Sequence, residues 1–149
     1  MSDILKLTDA IKDLDDVGVL TRTLYGEARG ESLLGKVAVA MVVTNRLRRP
    51  GWWTRNRGDG IPDDTVRAAC LDPYQFSCWL PEDPNRRKLE SFAGDAVCET
   101  VAALAIEGLL TDPTKGATHY HAHFAAPPWA KGLQPCLTTA GHRFYNDVP

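Results

Sequence analysis

Apolar residues near the start of the chain recur at steps of three and four positions, which is the spacing of an amphipathic helix. The series is Leu7, Ile11, Leu14, Val17, Leu20, Leu24 and Ala28. Gly30 follows the series and suits a helix end, because glycine readily adopts the left-handed conformation that is common there. We therefore predict one helix through the whole series, ending at Gly30.

A second helix is predicted to begin after Ser32, whose side chain can cap it, and to stop before Pro50. Between these residues lies LLGKVAVAMVVTNRLRR, which is apolar on nearly every side of a helix. Such a pattern is typical of a helix that is buried on all faces. We expect it to be the central helix of the fold.

The rest of the chain predicts shorter elements. A short helix is expected from Asp64 to Cys70, and a longer one, capped by Ser91, is expected to end near Gly108. The apolar face of the longer helix contains Ala93, Val97, Val101 and Leu104. Three β-rich segments, YQFSCW, ATHYHAHF and GHRFYN, are expected to form a small sheet. The predicted fold class is α+β, mainly helical, with a small β-sheet.

Composition indicates one ordinary globular domain over residues 1–149. The chain has 149 residues and is 44% hydrophobic, which is enough for a sizeable core. Its net charge of −2 gives no positive field to attract nucleic acid or an anionic membrane surface. The cysteines at 70, 78, 98 and 136 lack the short spacing of a zinc or redox motif. We expect buried free thiols, with a disulfide formed after export as the alternative.

Glu27 stands out because it shares the apolar face of the first predicted helix. Leu20, Leu24 and Glu27 follow an i, i+4, i+7 progression. A carboxylate on such a face loses hydration, which favours its protonated form. A protonated carboxyl is what a glycosidase needs as general acid. The small neighbours Gly26 and Ala28 leave room for a polymer to approach it.

A second interpretation of Glu27 is also compatible with the spacing, and spacing alone favours it. The residue stands near a helix end, where an ion pair with Arg29 or Arg22 explains it as a structural carboxylate. The pattern alone leaves both interpretations open. Glu31, beyond the glycine, is predicted to be a first-turn acid that interacts favourably with the dipole of the next helix.

Three histidines offer a metal-binding alternative. His119, His121 and His123 alternate along one predicted strand, and zinc accepts three imidazoles. They are adjacent along a single strand, however, and no carboxylate motif accompanies them, so we favour histidines that line a groove or the surface. The segment RLRRPGWWTRNR, with five arginines beside Trp52 and Trp53, is compatible with a polymer-binding surface or with a solvated helix end.

Four sequence blocks together resemble a known family. They are LYGEARGES…GKVAVAMVVTNRL, DPYQFSCW, GATHYHAHFAAPPWA and GHRFY, and they take in nearly everything from residue 20 to 146. In content and order they resemble the SleB-like cell-wall hydrolases, a family of spore cortex-lytic enzymes and related phage endolysins. The resemblance implies a lysozyme-like fold, action on the glycan strands of peptidoglycan, and Glu27 as the catalytic acid.

The expected reaction is cleavage of the β-1,4 bond between N-acetylmuramic acid and N-acetylglucosamine. The matched motifs supply one carboxylate, which favours a lytic transglycosylase that leaves 1,6-anhydro ends. The alternative is a water-using muramidase with a second acid, whose candidates are Asp64, Asp72, Asp112 and Glu31. Less favoured are a zinc-dependent peptidoglycan amidase and a non-catalytic polymer-binding module. The residues expected to contact substrate are Tyr25, Gln75, Ser77, His119 and His121.

We expect no metal or cofactor, no nucleic-acid partner and no stable membrane association, and we expect a monomer. The start of the chain, MSDILKLTDAIKDLDD, is acidic and lacks the basic and apolar stretches of a secretory signal. We therefore expect synthesis in the cytoplasm and action on the wall after a separate holin-type protein has permeabilised the membrane, as in phage endolysins.

Overall fold

The computed structural model describes residues 9–49, 65–71 and 75–149. Within these ranges the helices are α1 (Asp9–Lys12), α2 (Asp16–Ala28), α3 (Leu33–Arg48), α4 (Val66–Leu71), α5 (Arg86–Glu90) and α6 (Ala96–Ile106). The strands are β1 (His119–Ala122), β2 (Leu137–Thr138) and β3 (His142–Tyr145), and short 3-10 turns form at Ser77–Trp79 and Pro128–Ala130. The prediction of a mainly helical chain with a small sheet is confirmed.

The first predicted helix is in fact two helices. The periodic apolar series continues from α1 into α2, but the backbone breaks between them. Asp15 has an extended conformation, and its carboxylate accepts a hydrogen bond from the Gly18 N–H at 2.8 Å. An aspartate in this position is a strong helix start because it satisfies a free amide of the first turn. The prediction of one continuous helix through residues 7–28 was therefore wrong.

Helix α3 is the buried centre of the fold, as predicted. The Ser32 hydroxyl caps it by accepting from the Gly35 N–H at 3.3 Å. Residues 38–43 are at most 4% exposed, and the helix packs against α2, α4 and α6. It ends at Arg48, while Pro50 lies outside the described residues. In the part of the chain that the structure describes, no helix is both long and apolar enough to span a bilayer.

Helix α6 begins later than predicted. Ser91 does not cap it but ends α5, and the cap of α6 is Asp95, whose carboxylate accepts from the Cys98 N–H at 2.9 Å. The expected apolar face is also partly wrong, since Val97 is 47% exposed. The predicted end near Gly108 is confirmed, and this glycine has a φ of 73°.

The chain between α3 and α5 departs from the predicted strand. The short helix expected from Asp64 corresponds to α4, which begins at Val66, while Asp64 itself lies outside the described residues. In the segment YQFSCW, Ser77–Trp79 form a 3-10 turn and not a strand. Trp79 is 1% exposed, and its indole N–H donates to the Thr23 hydroxyl at 2.9 Å. A buried tryptophan thus anchors this turn to α2.

The sheet is antiparallel with the strand order β1–β3–β2. Two of the three predicted segments, ATHYHAHF and GHRFYN, supply β1 and β3, and the remaining strand is β2 and not YQFSCW. In the register, Tyr120 pairs with Phe144 and His121 pairs with Arg143. Because side chains alternate across a strand, Tyr120 and Phe144 face the helices while His121 lies on the opposite face. This alternation decides which side chains reach the candidate site.

The cysteines are free thiols. Cys70, Cys78 and Cys98 are buried, and Cys136 is half-buried. The expectation of buried free thiols is confirmed for the first three.

Substitution of Gly26 by alanine is expected to destabilise the fold. A Cβ at Gly26 would lie 2.7 Å from the Cys78 Cβ and 2.8 Å from its Sγ. We expect Gly26→Ala to lower the free energy of unfolding by about 1–2 kcal/mol, even after the gain in helix propensity. Urea denaturation measures this. The matched control is Gly30→Ala, where a Cβ meets no atom within 4 Å. A Gly26→Ala protein at least as stable as the wild type would contradict the packing argument.

Candidate functional site

The end of α2 and the residues that follow it line an open cleft of about 320 Å³. Its walls are Gly26, Glu27, Ala28, Arg29, Gly30, Glu31 and Asn85. We call it the Glu27 cleft. Two carboxylates of the GEARGE motif, Glu27 and Glu31, therefore share one solvent-accessible depression, although only Glu27 is part of the helix.

Glu27 is held by a tyrosine of the sheet. The Tyr120 hydroxyl donates a hydrogen bond to the Glu27 Oε1 at 2.6 Å. Burial, together with the nearby Glu27 charge, raises the pKa of Tyr120 well above its ordinary value, so this tyrosine stays neutral and acts as a donor. Cys78 also borders Glu27, and burial raises the pKa of its thiol, with Glu27 adding to the shift. The helix carboxylate thus contacts neutral groups on its inner side.

The ion-pair interpretation of Glu27 is not supported by the geometry. The Arg29 guanidinium donates to the Tyr25 carbonyl at 3.2 Å and to the Asn85 Oδ1 at 2.8 Å. Arg22 lies over the ring of Phe92, with its Cζ 4.7 Å from the ring centre. Among the described residues neither arginine forms an ion pair with Glu27. The structure therefore favours a carboxyl that is available for chemistry.

Glu31 is fixed to the turn between β2 and β3. Its Oε1 accepts from the Thr139 hydroxyl and from the Gly141 N–H, each at 3.2 Å, and lies 3.4 Å from the His142 Nδ1. It precedes the α3 cap, and its carboxylate faces the sheet. The prediction of a first-turn acid serving the α3 dipole was therefore wrong. The His142 backbone N–H donates to the Thr139 hydroxyl at 3.2 Å.

Tyr120 and His142 join the surroundings of the two glutamates. Their rings meet edge to face, with centroids 5.0 Å apart, and Tyr120 also stacks on Phe144 at 5.4 Å. Phe144 is fully buried. Since Tyr120 contacts Glu27 and His142 contacts Glu31, one packed aromatic group positions both carboxylates.

Three of the predicted substrate contacts lie around the helical side of the site. Tyr25 packs edge to face on Phe92 and lies 5.5 Å from the Cζ of Arg29, which lines the Glu27 cleft. Gln75 accepts a hydrogen bond from Arg46 at 3.4 Å, and Ser77 is exposed beside Cys78. Their role in binding stays a prediction.

The other two predicted contacts, His119 and His121, lie on the sheet face opposite to Tyr120. His119 packs against Trp129, with centroids 4.9 Å apart, and the His121 Nε2 lies 2.9 Å from the Tyr145 hydroxyl. Trp129 and Tyr145 also meet edge to face at 5.2 Å. These histidines belong to an aromatic cluster that is separate from Glu27, and their binding role stays a prediction.

The geometry gives little support to a zinc site. Across residues 9–49, 65–71 and 75–149, no three histidine, cysteine, aspartate or glutamate side chains are placed to hold a metal ion. His123 is exposed at the end of β1. Trp52 and Trp53 of the arginine-rich segment lie outside the described residues, so the polymer-binding alternative based on them stays a prediction.

Asp112, one candidate for a second acid, is a structural carboxylate. It accepts from the Thr114 N–H and hydroxyl at 2.8 and 2.6 Å, from the Gly116 N–H at 2.9 Å, and from Asn45 at 2.9 Å. Burial alone would raise its pKa, but these hydrogen bonds outweigh burial and lower it. Asp64 and Asp72 lie outside the described residues.

Tyr120 is the functional neighbour that the sequence analysis did not assign to the site. The signal was present in the alternation of THYHAH, which places Tyr120 on the face opposite to the histidines. The hydrogen bonds from Thr139 and Gly141 to Glu31 have no comparable signal in the local sequence, because these partners are 108 and 110 positions away from Glu31.

Comparison with known proteins decides the family. The family model described as "Cell Wall Hydrolase" matches residues 30–145. The chain belongs to the cell wall hydrolase family. Among curated relatives, this cell wall hydrolase is 38% identical over 113 residues to the spore cortex-lytic enzyme of Halalkalibacterium halodurans, covering 71% of this chain and 27% of the relative. It is 30% identical over 131 residues to that of Bacillus subtilis, covering 87% of this chain and 37% of the relative.

The chain thus spans about a quarter of the length of one relative and little more than a third of the other. Solved structures match over more of their length. The catalytic domain of the Bacillus cereus SleB protein aligns with a TM-score of 0.63 and 26% identity, covering 87% of this chain and 88% of that one. The catalytic domain of the germination-specific lytic transglycosylase SleB from Bacillus anthracis gives 0.65 and 25%, covering 87% and 92%. The predicted lysozyme-like α+β fold class is confirmed.

His119 is expected to make this cell wall hydrolase sensitive to mild acid. Burial, followed by the charges of Arg46 and Arg49, lowers the pKa of His119 from 6.5 to about 4. Between these values the unfolded chain binds a proton that the folded protein does not, so stability falls as the pH falls through this window. We expect His119→Gln to reduce the loss of melting temperature between about pH 7.5 and pH 4.5.

The control for this measurement is His123→Gln, which replaces an exposed histidine directly after the same strand. It should keep the wild-type dependence on pH. Identical acid sensitivity in the wild type and His119→Gln would show that other groups cause the loss.

Proposed function

We propose that this chain cleaves the β-1,4 bond between N-acetylmuramic acid and N-acetylglucosamine in peptidoglycan glycan strands, with Glu27 as general acid. The observation that carries the proposal is the Glu27 carboxyl in an open cleft, hydrogen-bonded by neutral Tyr120 at 2.6 Å. The family supports it, as do the relatives whose names describe cortex-lytic and lytic transglycosylase proteins.

The reaction requires that Glu27 first donate a proton and then accept one. Protonated Glu27 donates to the glycosidic oxygen, and the bond between that oxygen and the anomeric carbon of muramic acid breaks. The same carboxylate then accepts the proton of the muramic 6-hydroxyl. The oxygen of that hydroxyl bonds to the anomeric carbon at the same time. A 1,6-anhydro ring closes, Glu27 is protonated again, and no water is consumed.

Tyr120 suits this cycle because it is neutral and fixed by the sheet. As a donor to the Glu27 Oε1, it orients the carboxyl and stabilises the carboxylate that forms after the first proton transfer. It cannot compete as an acid, since burial raises its pKa well above the ordinary value. Its place in the stacked group with Phe144 limits the movement of its ring.

The hydrogen bonds that Glu31 already accepts support the proposed anhydro product over hydrolysis. An inverting muramidase needs a second carboxylate to activate water, and a retaining one needs it as a nucleophile. Glu31 lines the same cleft, but its Oε1 is engaged by Thr139 and Gly141. Asp112 is equally occupied in its own turn. Glu31 and Asp112 are the candidate second acids that lie among the described residues, and their contacts support chemistry with Glu27 as both acid and base.

We also propose the biological setting of an endolysin. In it, a monomeric enzyme made in the cytoplasm meets peptidoglycan after a holin-type partner permeabilises the membrane. This part rests on the resemblance of the motif blocks to phage endolysins, which they share with spore enzymes.

Glu27→Gln is expected to fold normally and to lose nearly all activity on purified sacculi. The amide keeps the shape and the hydrogen bond from Tyr120 but carries no transferable proton, and general acid catalysis is typically worth about 10²–10⁴-fold. Loss of turbidity measures the rate. The matched control is Glu107→Gln, an exposed carboxylate at the end of α6, which should leave the rate unchanged. Turnover near the wild-type rate by folded Glu27→Gln would remove the assignment.

The wild-type digest is expected to contain anhydromuramic ends. Mass spectrometry before and after borohydride treatment distinguishes the two reactions. Anhydro products are lighter than hydrolysed ones by one water and do not change on reduction, since ring closure consumes the reducing end. Reducible muramic acid ends would instead identify a muramidase. The enzyme would then need a second catalytic carboxylate besides Glu27.

A further inference from the structure

A second cleft, of about 540 Å³, lies between α2 and α6. It is lined by Gly18, Thr21, Arg22, Phe92, Glu99 and Leu104, among others, and we call it the α2–α6 cleft. None of its lining residues belongs to the Glu27 cleft. It is larger than the Glu27 cleft and has no part in the proton transfers described above.

Arg22 is a partly buried cation in this cleft that lacks an acceptor. Its guanidinium lies over the Phe92 ring at 4.7 Å, and it forms no hydrogen bond or ion pair with any described residue. Burial lowers its pKa, with the charge of Glu99 opposing the shift. The neighbouring Thr21 is 2% exposed, and its hydroxyl is also without a hydrogen-bond partner among the described residues. Unpaired buried donors are costly, and an anionic ligand would offset that cost at Arg22.

The cleft also contains the carboxylate of Glu99, which forms no ion pair with Arg22. Glu99 is exposed on the first turn of α6 and lines the cleft, near enough to influence Arg22 but without forming an ion pair with it. Asp15, the other acid of the cleft, is engaged in capping Gly18. A separated cation and anion, with the aromatic Phe92 nearby, complement a ligand that bears both a carboxylate and an amine.

One face of α2 connects the two clefts. Gly18, Arg22, Tyr25 and Arg29 follow each other at steps of four, three and four, so they form a single stripe. Phe92 contacts Tyr25 at 5.0 Å, and Arg29 reaches the Glu27 cleft. From Arg22 to Arg29 the helix rises about 10 Å. An extended peptide of three residues covers about the same distance.

We propose that the α2–α6 cleft binds the stem peptide of the muramic acid whose glycosidic bond lies at Glu27. A carboxylate of the peptide pairs with Arg22, and a free amine pairs with Glu99. The peptide leaves the sugar at the Glu27 cleft and follows the Tyr25 face of α2. This inference rests on the proposed function, because the sugar must be seated at Glu27 for its peptide to reach the second cleft.

The test compares glycan strands that carry stem peptides with strands from which an amidase has removed them. Steady-state kinetics on both substrates are measured for the wild type, Arg22→Gln and Arg87→Gln. Arg87 is an exposed arginine of α5 outside both clefts, so its variant removes the same charge elsewhere. We expect Arg22→Gln to raise KM about tenfold on peptide-bearing strands, the loss of one charge-assisted hydrogen bond, with kcat unchanged. On peptide-free strands Arg22→Gln and Arg87→Gln should match the wild type.

A second variant, Glu99→Gln, tests the proposal independently in case Arg22→Gln does not fold. Glu99→Gln changes an exposed residue and should also raise KM on peptide-bearing strands, but not on strands whose peptide amines have been acetylated. Equal KM values of the wild type on both substrates, or equal effects of Arg22→Gln on both, would overturn the proposal. If the wild type cleaves neither substrate, the proposed function itself fails, which is a different result from cleavage without peptide preference.

Discussion

The hydrogen bond from Tyr120 to Glu27 joins helix α2 to the sheet at the point where chemistry is proposed. It links residues 93 positions apart, one on the last turn of α2 and one on β1. Helix α2 can approach the rest of the fold so closely here because Gly26 has no side chain to separate it from Cys78. The position of the carboxyl is therefore set by backbone packing on one side and by a rigid phenol on the other, before any substrate arrives.

The same sheet holds the second glutamate by different means. Glu31 is bound by a hydroxyl and an amide of the β2–β3 turn, and both donors engage its Oε1. Two carboxylates four positions apart thus acquire different roles from their surroundings. One is bordered by neutral groups at an open cleft, and the other ties the start of α3 to the sheet.

Local rules predicted the parts of this fold that depend on neighbouring residues. Ser32 caps α3 because its hydroxyl needs only the amide three positions on, and the motif around Glu27 is contiguous in sequence. The break at Asp15 was missed because apolar periodicity continues through it, and the choice between Ser91 and Asp95 as a cap depended on backbone conformation that residue type alone does not specify. The partners of Glu27 and Glu31 come from the sheet, so no spacing within the motif indicates them.

Gly35 and Gly141 form the walls of the slot that holds Glu31. A Cβ on Gly35 would lie 2.7 Å from the Glu31 Cβ, and a Cβ on Gly141 would collide with its carboxylate. The slot is therefore matched to one side chain from two directions, and enlargement of either wall displaces the acid that links α3 to the sheet. Substitutions at these three positions should be non-additive, because each changes the space available to the others. The side chains tolerated at residues 31, 35 and 141 therefore depend on one another, although residue 141 lies near the other end of the chain.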